Sequence, residues 1–352
     1  MRDYIHTHKS QIESTLYDFF GKKKAEISHI NRWAFPVVDH LESAVMGGKM
    51  IRGVLVVLGY ELGGKKASED IYKIAAAYEL FHTGFLIHDD IIDGDSLRRG
   101  KPTMHKILKE MTTLKGIQTS DHYGEGLAIG AGDIAFFSAY EMLFSTRTLH
   151  HHLSSIALLI SKEMAIVGLG EIDDIVLGLE ESVVQKDSIM NCYRYKTARY
   201  TFSIPLSIGG QLGGLTSAVI DDLEDVGEQL GIVFQLKDDE LGMMGNAEET
   251  GKAVGNDIRE GKKTLYYYYL FMRSSKEEQT KLKSIFGYKE APPESITFVQ
   301  ELVRQYGIDK EIERITSEYL LKAKNKIEDL HLPSHHLLLF TGLVELLSNR
   351  SR

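Results

Sequence analysis

EDIYKIAAAYELFHTGFLIHDDII, residues 69–92, combines an apolar helical pattern with a group of carboxylates at its end. Ile71, Ile74, Tyr78 and Phe81 recur at the spacing of one helix face, and this periodicity predicts an α-helix. Because the turns before the carboxylates are apolar, we expect the acidic end to lie on an inner face of the fold and not on a solvated surface.

The same periodicity continues along the chain, most clearly at 151–170 and 219–241. No convincing alternating series predicts a strand, and the four tyrosines at 266–269 fall in a stretch that reads as helix. We therefore predict an all-α fold, a helical bundle in one domain spanning residues 1–352. Loops are expected at 61–68, 94–103, 112–126, 243–262 and 287–293, with 111–126 an exposed polar insertion.

The composition argues against several classes of protein. A formal net charge of -9 argues against nucleic-acid binding. No run of about 18 apolar residues lacks a charge, so no membrane span is expected. The N-terminus lacks the apolar core of a secretory signal. Cys192 is the single cysteine, which rules out a disulfide framework and indicates a reducing compartment, the cytoplasm.

The first acidic cluster lies in HDDIIDGDSLRRGK at 88–101. Asp89 and Asp93 share a helix face, with Asp90 beside them. Three neighbouring carboxylates repel one another, and burying them unpaired would be costly. Mg²⁺ would relieve the repulsion, and the following Arg98 and Arg99 are suited to holding phosphate. A bound metal–diphosphate would satisfy both kinds of side chain, whereas a solvated acidic helix end is the alternative.

A second acidic cluster lies in FQLKDDELG at 234–242, again after an apolar helical stretch. Gln235 and Asp239 are one helix turn apart, with Asp238 beside them. The pliable segment that follows contains Lys252 and Lys262. Two such combinations of helix, carboxylates and basic loop suggest a two-sided cradle for one metal–diphosphate.

Basic and polar side chains elsewhere are candidates for binding a second diphosphate. Lys49 and Arg52 share a helix face after a Gly-Gly pair, whose backbone a ligand can approach closely. His82 lies two helical turns before the first acidic cluster. Lys196 and Thr197 place a cation and a hydroxyl in an aromatic stretch. Alone, each would be ordinary, because solvated basic pairs and core histidines are common.

Together these motifs resemble those of the trans-isoprenyl diphosphate synthases, the polyprenyl synthetase family, over about residues 40–270. They occur in the family's order: GGKMIR at 47–52, His82, DDIID at 89–93, LRRGKPT at 97–103, KTA at 196–198, FQLKDDELG at 234–242 and DIREGKKT at 257–264. The resemblance implies a helical bundle around a deep central cavity, a homodimer, and Mg²⁺-dependent condensation of an allylic diphosphate with isopentenyl diphosphate.

The resemblance also implies roles for individual residues. Mg²⁺, three ions per site, would be held by Asp89, Asp90, Asp93, Asp238 and Asp239. The allylic diphosphate would be held by Arg98, Lys196, Lys252 and Gln235, with Thr197 next to Lys196. Isopentenyl diphosphate would be held by Lys49, Arg52, His82 and Arg99, and Lys262 would close over the metal–diphosphate.

Three motifs depart from the family's pattern. The second acidic motif usually ends in a third Asp, where this chain has Gly242. Met50 and Gly53 replace the Arg and Pro of the usual GGKRIRP, and an expected Gly-Gln pair appears as Gly170-Glu171. These changes bear on substrate preference, whereas the reaction class depends on the motifs that match.

The predicted product is geranylgeranyl diphosphate, C20. A chain anchored at the first acidic cluster would extend along its helix, where Phe85 supplies one blocking ring and Gly84 adds no bulk. C15 synthases of the family often carry an aromatic residue in the place of Gly84, so a deeper cavity is expected. Phe85 could instead pack in the core, with the floor formed elsewhere.

Four other functions stay open. They are a C15 or longer-chain synthase, a class I terpene cyclase, a non-catalytic subunit, and a di-iron helical bundle. A cyclase needs no second diphosphate site, a non-catalytic subunit would lack an acidic cluster, and a di-iron bundle would need Glu-x-x-His pairs. The sequence favours the synthase on all three counts.

Overall fold

The computed structural model describes residues 1–118, 120–147, 150–180, 184–245 and 255–348, in two compact units. The N-terminal unit comprises residues 2–159 and 208–215, and the C-terminal unit comprises residue 1 with residues 160–207 and 216–352. Helices dominate both units, which confirms the predicted all-α fold. That a single domain spans 1–352 stays a prediction.

The elements are, in chain order, α1 (Arg2–Ile27), α2 (Ala34–Met46), α3 (Ile51–Glu61), α4 (Glu69–Ile92), β1 (Leu97–Arg98), β2 (Lys101–Pro102), α5 (Met104–Leu114), α6 (Asp121–Phe144), α7 (His150–Leu179), α8 (Lys186–Cys192), a π-helix (Tyr193–Ser203), α9 (Ile204–Gly213), α10 (Ser217–Met244), α11 (Asn256–Glu260), α12 (Leu265–Arg273), α13 (Lys276–Ile285), α14 (Pro293–Gln305), α15 (Ile308–Asp329) and α16 (Ser334–Ser348). The two strands form a small antiparallel hairpin.

Helix α4 is the centre of the N-terminal unit. It packs against α1, α2, α3, α5 and α6 and is buried on most sides, as its nearly continuous apolar sequence predicts. Helix α3 approaches it closely at Gly53, where a Cβ would lie only 3.0 Å from the carbonyl oxygen of Ala75. The departure from the family's proline at position 53 therefore coincides with tight helix packing.

Helices α4 and α6 interlock through two glycines. A Cβ at Gly84 would lie 2.7 Å from the ring of Phe136, and a Cβ at Gly132 would lie 2.3 Å from the ring of His88. Each glycine thus leaves a hollow that receives a ring from the opposite helix. This packing fixes the position of α4, and so of its acidic end, along the axis of α6.

In the C-terminal unit, α10 lies directly against the π-helix. A Cβ at Gly227 would lie 2.5 Å from Cα of Ser203, and a Cβ at Gly231 would lie 2.4 Å from Cα of Ala198. Helix α15 packs on another part of α10, and the aromatic helix α12 contributes to the same core. The close approach brings the polar side chains of the π-helix next to those of α10.

The expected loops at 61–68 and 287–293 match the structure to within a residue, whereas the expected loop at 94–103 contains the β1–β2 hairpin. Helix α6 begins at Asp121, so the expected insertion at 111–126 is wrong at both ends. Gly124 in the first turn of α6 allows close packing on α5, because a Cβ there would lie 2.7 Å from the carbonyl oxygen of His105. The expected loop at 243–262 contains α11, and residues 246–254 of it lie outside the described residues. The tyrosines at 266–269 lie in α12, as predicted.

The contact between α10 and the π-helix generates a stability prediction. Gly231→Ala should destabilise the protein by about 2 kcal/mol, since the new methyl group overpacks a backbone contact. The midpoint of urea denaturation measures the change. Gly178→Ala on α7 is the control, because no atom lies within 4 Å of a Cβ there, and it should stabilise by up to about 1 kcal/mol. Equal midpoints for the two variants would contradict the packing argument.

Candidate active site

The carboxylates of the first acidic cluster lie at the C-terminal end of α4, where Arg98 binds two of them. The Nε of Arg98 donates to Asp90 Oδ1 at 2.5 Å, and its Nη2 donates to Asp89 Oδ2 at 2.9 Å. Asp93 caps the helix, its N–H bonded to the carbonyl of Asp89. Burial raises the pKa of Asp90 to about 6, although Arg98 opposes the rise. A positive charge is thus held between carboxylates that would otherwise repel.

The hairpin aims its two arginines in different directions. Its turn consists of Arg99 and Gly100, both left-handed with φ of 52° and 74°, as a two-residue hairpin turn requires. Arg98 reaches back to the end of α4, whereas the guanidinium of Arg99 lies against Gly47 and Gly48. A Cβ at Gly47 would lie 3.3 Å from Nη1 of Arg99. The Gly-Gly pair predicted to admit a ligand therefore also admits this side chain.

A group of cations surrounds His82 in the middle of α4. The pKa of His82 is lowered well below its usual value, mainly by burial and further by the charges of Arg52, Arg99 and Arg98. His82 is therefore neutral near pH 7. The structure thus brings three of the four predicted isopentenyl diphosphate ligands together, while Lys49 is exposed just before α3.

Glu79 is a buried carboxyl group at this site that the sequence interpretation missed. It lies one turn before His82, is 4% exposed, and accepts a hydrogen bond of 2.8 Å from the N–H of Gly53. Burial raises its pKa, while Arg52 and Arg99 oppose the rise. Its position within an apolar helical run could have identified it from the sequence, because a carboxyl group buried in such a run requires polar partners.

In the C-terminal unit, a chain of hydrogen bonds joins the π-helix to α10. Thr197 Oγ1 donates to Gln235 Oε1 at 2.8 Å, and Gln235 Nε2 donates to Asp239 Oδ1 at 2.8 Å. The hydroxyl of Tyr193 donates to the other oxygen of Asp239 and accepts from the N–H of Leu265 at 3.0 Å. The structure therefore joins three predicted site residues in one chain of hydrogen bonds, and Tyr193, which the sequence interpretation missed, extends that chain beyond Asp239.

Asp238 and Asp239 have opposite environments. Asp238 is exposed at the surface of α10, whereas Asp239 is 4% exposed with hydrogen bonds to both oxygens. Burial raises the pKa of Asp239 well above its usual value, and the nearby charge of Asp257 adds to the rise. Asp238 is thus the carboxylate of this pair that a ligand can reach.

Lys196 forms ion pairs with two carboxylates of α7. Its Nζ lies 2.9 Å from Glu171 and 2.6 Å from Asp174. Glu171 is the residue found where the family's motif has Gln, so the departure adds a negative partner. Gly170 allows the contact, because a Cβ there would lie 2.9 Å from the backbone nitrogen of Lys196. Lys262 pairs with Glu260 at 2.9 Å, and Lys252 lies outside the described residues.

The missing third Asp of the second motif has a local explanation. A Cβ at Gly242 would lie 2.2 Å from a carboxylate oxygen of Asp257. The carboxylate of Asp257, on α11, therefore fills the space that a side chain at 242 would need. No sequence motif predicts this, because residues 242 and 257 are brought together only by the fold.

Comparisons with known proteins agree on one family. The sequence model of the polyprenyl synthetase family matches residues 36–303. The chain is 32% identical over 293 residues to a short chain isoprenyl diphosphate synthase of Methanothermobacter thermautotrophicus, covering 83% of each chain. It is 33% identical over 276 residues to the geranylgeranyl diphosphate synthase of Saccharolobus solfataricus, covering 76% of each.

A solved structure is similar over nearly the whole chain. It is the geranylgeranyl pyrophosphate synthase from Corynebacterium glutamicum, complexed with isoprenyl diphosphate and magnesium. Its TM-score is 0.91 at 30% sequence identity, covering 97% of this chain and 98% of that one. The similarity extends to the helical fold as a whole and beyond the motif region.

The fit between Gly242 and Asp257 generates a prediction. Gly242→Asp, which restores the family's usual motif, should destabilise this chain by about 2 kcal/mol, because the new side chain collides with Asp257 and adds like charge. Urea denaturation measures the loss. The exchange Gly242→Asp with Asp257→Gly should recover most of the stability. A single variant as stable as the parent chain would refute the explanation.

Proposed function

Because the chain belongs to the polyprenyl synthetase family, we propose that it is a short-chain trans-prenyltransferase that makes geranylgeranyl diphosphate. It condenses isopentenyl diphosphate with dimethylallyl, geranyl or farnesyl diphosphate and releases diphosphate. The observation that carries the proposal is the grouping, within one unit, of carboxylates at the end of α4 and a separate set of cations around His82. The first group suits a metal-bound diphosphate and the second a metal-free one.

The carboxylates are a suitable donor set for Mg²⁺, which prefers oxygen ligands and keeps some of its waters. Asp89, Asp90 and Asp93 would hold ions in the N-terminal unit, and the exposed Asp238 would offer a carboxylate ligand in the C-terminal unit. Three ions per site follow from the family resemblance. Bound Mg²⁺ would stabilise the negative charge that develops on the leaving diphosphate.

Asp239 has a supporting role in this proposal. Both of its oxygens are engaged by Tyr193 and Gln235, so it orients Gln235 and, through it, Thr197. The family resemblance implies that Asp239 is a metal ligand. Its burial favours a positioning role, in which the network presents Gln235 and Thr197 to the allylic diphosphate.

The cations around His82 would hold isopentenyl diphosphate. Arg52 and Arg99 supply the charge, Lys49 reaches from the exposed turn, and neutral His82 can donate a hydrogen bond without adding repulsion. Buried Glu79 holds the backbone at the start of α3 through the N–H of Gly53, and the charges of Arg52 and Arg99 act on its carboxyl group. When the allylic diphosphate binds, it would replace some of the carboxylate partners of Arg98 and Lys196.

The reaction begins with cleavage of the allylic C–O bond. The C=C bond of isopentenyl diphosphate then attacks the allylic carbon, and a proton is lost. The departing diphosphate would accept that proton, in keeping with the family. A class I terpene cyclase would have no use for the cations around His82, so the synthase is the better account of this site.

Product analysis by mass spectrometry tests the proposal. Isopentenyl diphosphate with each of the three starters and Mg²⁺ should give prenyl diphosphates that end at C20. Asp89→Asn and Asp238→Asn should each reduce turnover by about 10²-fold or more, because they weaken charge stabilisation. Asp222→Asn, at an exposed position on α10, is the matched control. A hydrocarbon or alcohol formed from the allylic diphosphate alone would show a cyclase instead.

Helix α6 carries the surface that we propose for a homodimer. Five large apolar side chains follow one face at spacings of one turn or its multiples, and all are exposed: Tyr123, Leu127, Ile134, Phe137 and Phe144. The same helix of a second copy can cover this stripe, as in a two-fold interface. We also propose a cytoplasmic location, which a single buried cysteine supports.

Two helices, Asp121–Phe144 and His152–Leu179, are long and apolar enough to cross a membrane by length and composition. In α6, 44% of the most apolar window is buried within the protein. The exposed apolar stripe accounts for much of the part of this window that is not buried. We propose that it contacts protein and not lipid.

Sedimentation tests the dimer. Phe137→Glu should convert a dimer into a monomer, because it places a charge in the centre of the stripe. Leu114→Glu is the control, since Leu114 is 79% exposed on α5 and lies outside the stripe. A parent chain that sediments as a monomer would refute the dimer, and one that sediments with lipid vesicles would favour a membrane face.

A further inference from the structure

The space beside Phe85 that the sequence interpretation left open is filled. A Cβ at Gly84 would lie 2.7, 2.9 and 3.0 Å from three ring atoms of Phe136. The rings of Phe85 and Phe136 meet edge to face, with centroids 5.0 Å apart at 71°. The expectation of one blocking ring with an empty neighbour is therefore wrong. A second ring is present, and it comes from α6.

From this geometry we propose that Phe136 sets product length as the second ring of the floor beneath the growing chain, a proposal that rests on the proposed function. From the sequence alone, the second ring would be expected at residue 84. In this chain residue 84 is glycine, and Phe136 of the opposite helix α6 occupies the space beside it.

The aromatic side chains of α4 and α6 form two layers below the first acidic cluster. Phe85 and Phe136 form the upper pair, about 6 Å along α4 from Asp89. Phe81 and Tyr140 form the lower pair, about 12 Å from Asp89, with centroids 4.9 Å apart at 82°. The two layers are themselves in contact, since Phe81 and Phe136 are 6.5 Å apart.

Burial distinguishes the two phenylalanines of α4. Phe85 is partly exposed, as are Phe136 and Tyr140 on α6, whereas Phe81 is 1% exposed. Along α4, the boundary between accessible space and the packed core therefore lies between Phe85 and Phe81. A chain growing from Asp89 along α4 would meet Phe85 and Phe136 first and would find the buried ring of Phe81 beneath them.

Three rings of α4 lie next to the ring of Phe136. Phe85 and Phe81 contact it from α4, and the ring of His88 lies 5.5 Å away at 71°. His88 is in turn fixed in the hollow of Gly132, within hydrogen-bond distance of the Ile129 carbonyl at 3.2 Å. Because neighbours define its orientation, Phe136 is a rigid stop and not a mobile side chain.

Removing the ring opens room for one more addition. Phe→Ala deletes six ring carbons from the side chain, and an isoprene unit has five carbons. With Phe85 retained, the product should lengthen by one unit, from C20 to C25. Removing both rings of the upper pair should lengthen it further, until the chain meets Phe81 and Tyr140.

The experiment measures product lengths by mass spectrometry with farnesyl and isopentenyl diphosphates and Mg²⁺. Phe136→Ala should shift the principal product from C20 to C25. The exchange Gly84→Phe with Phe136→Ala moves the ring back to α4 and should abolish the C25 product. Gly84→Phe alone should lower the melting temperature, because Phe136 occupies its space. Phe35→Ala, which removes an exposed ring from α2, is the control and should leave product lengths unchanged.

The outcomes separate this inference from the proposed function. A parent chain that forms no prenyl diphosphate overturns the proposed function itself. A parent chain that forms C20, with Phe136→Ala also stopping at C20, overturns the role of Phe136 alone. If the melting curve shows that Phe136→Ala does not fold, Phe136→Leu replaces it. A mixture of C20 and C25 then supports the proposal, and C20 alone overturns it.

Discussion

The contacts of Arg98 with Asp89 and Asp90 are the interaction on which the N-terminal site depends. Like charges can stay close inside a protein only if an opposite charge lies among them, because the interior screens them poorly. At the end of α4 that charge is Arg98, held by a hairpin turn. Two to three turns earlier on the same helix the arrangement is reversed, and the carboxyl group of Glu79 lies near the cations Arg52 and Arg99. A single buried helix thus prepares one region for a cation and another for an anion.

In the C-terminal unit, hydrogen bonds and not an opposite charge stabilise the buried carboxyl group of the acidic cluster. Asp239 is buried and satisfied by neutral donors, so its neighbour Asp238 can stay exposed. The π-helix makes this possible, since α10 approaches it at glycines and the network spans the gap. Glu171 adds a distinct feature, because Lys196 already has carboxylate partners. Under the proposed function the allylic diphosphate must compete with these partners, so its affinity should depend on residue 171 as well as on Lys196.

The fold class and the two acidic clusters could be predicted from the sequence because helix periodicity and motif spacing are local properties. Arg98 beside Asp89 also follows from short separation along the chain. What could not be predicted depends on contacts between distant segments: Asp257 filling the space at Gly242, and Phe136 filling the space at Gly84. Tyr193 was missed for another reason. A π-helix changes which residues share a face, so α-helical spacing misplaces its side chains.

Met50 and Arg99 have left-handed backbones, with φ of 54° and 52°, a conformation that costs most residues about 1 kcal/mol or more. Both flank the cationic group around His82. Glycine would relieve the strain at position 99 but would remove the guanidinium that lies against Gly47. A chain optimised for heat resistance alone would thus lose one of the proposed contacts to isopentenyl diphosphate. Arginine at position 99 therefore exchanges some thermal robustness for the proposed ligand binding.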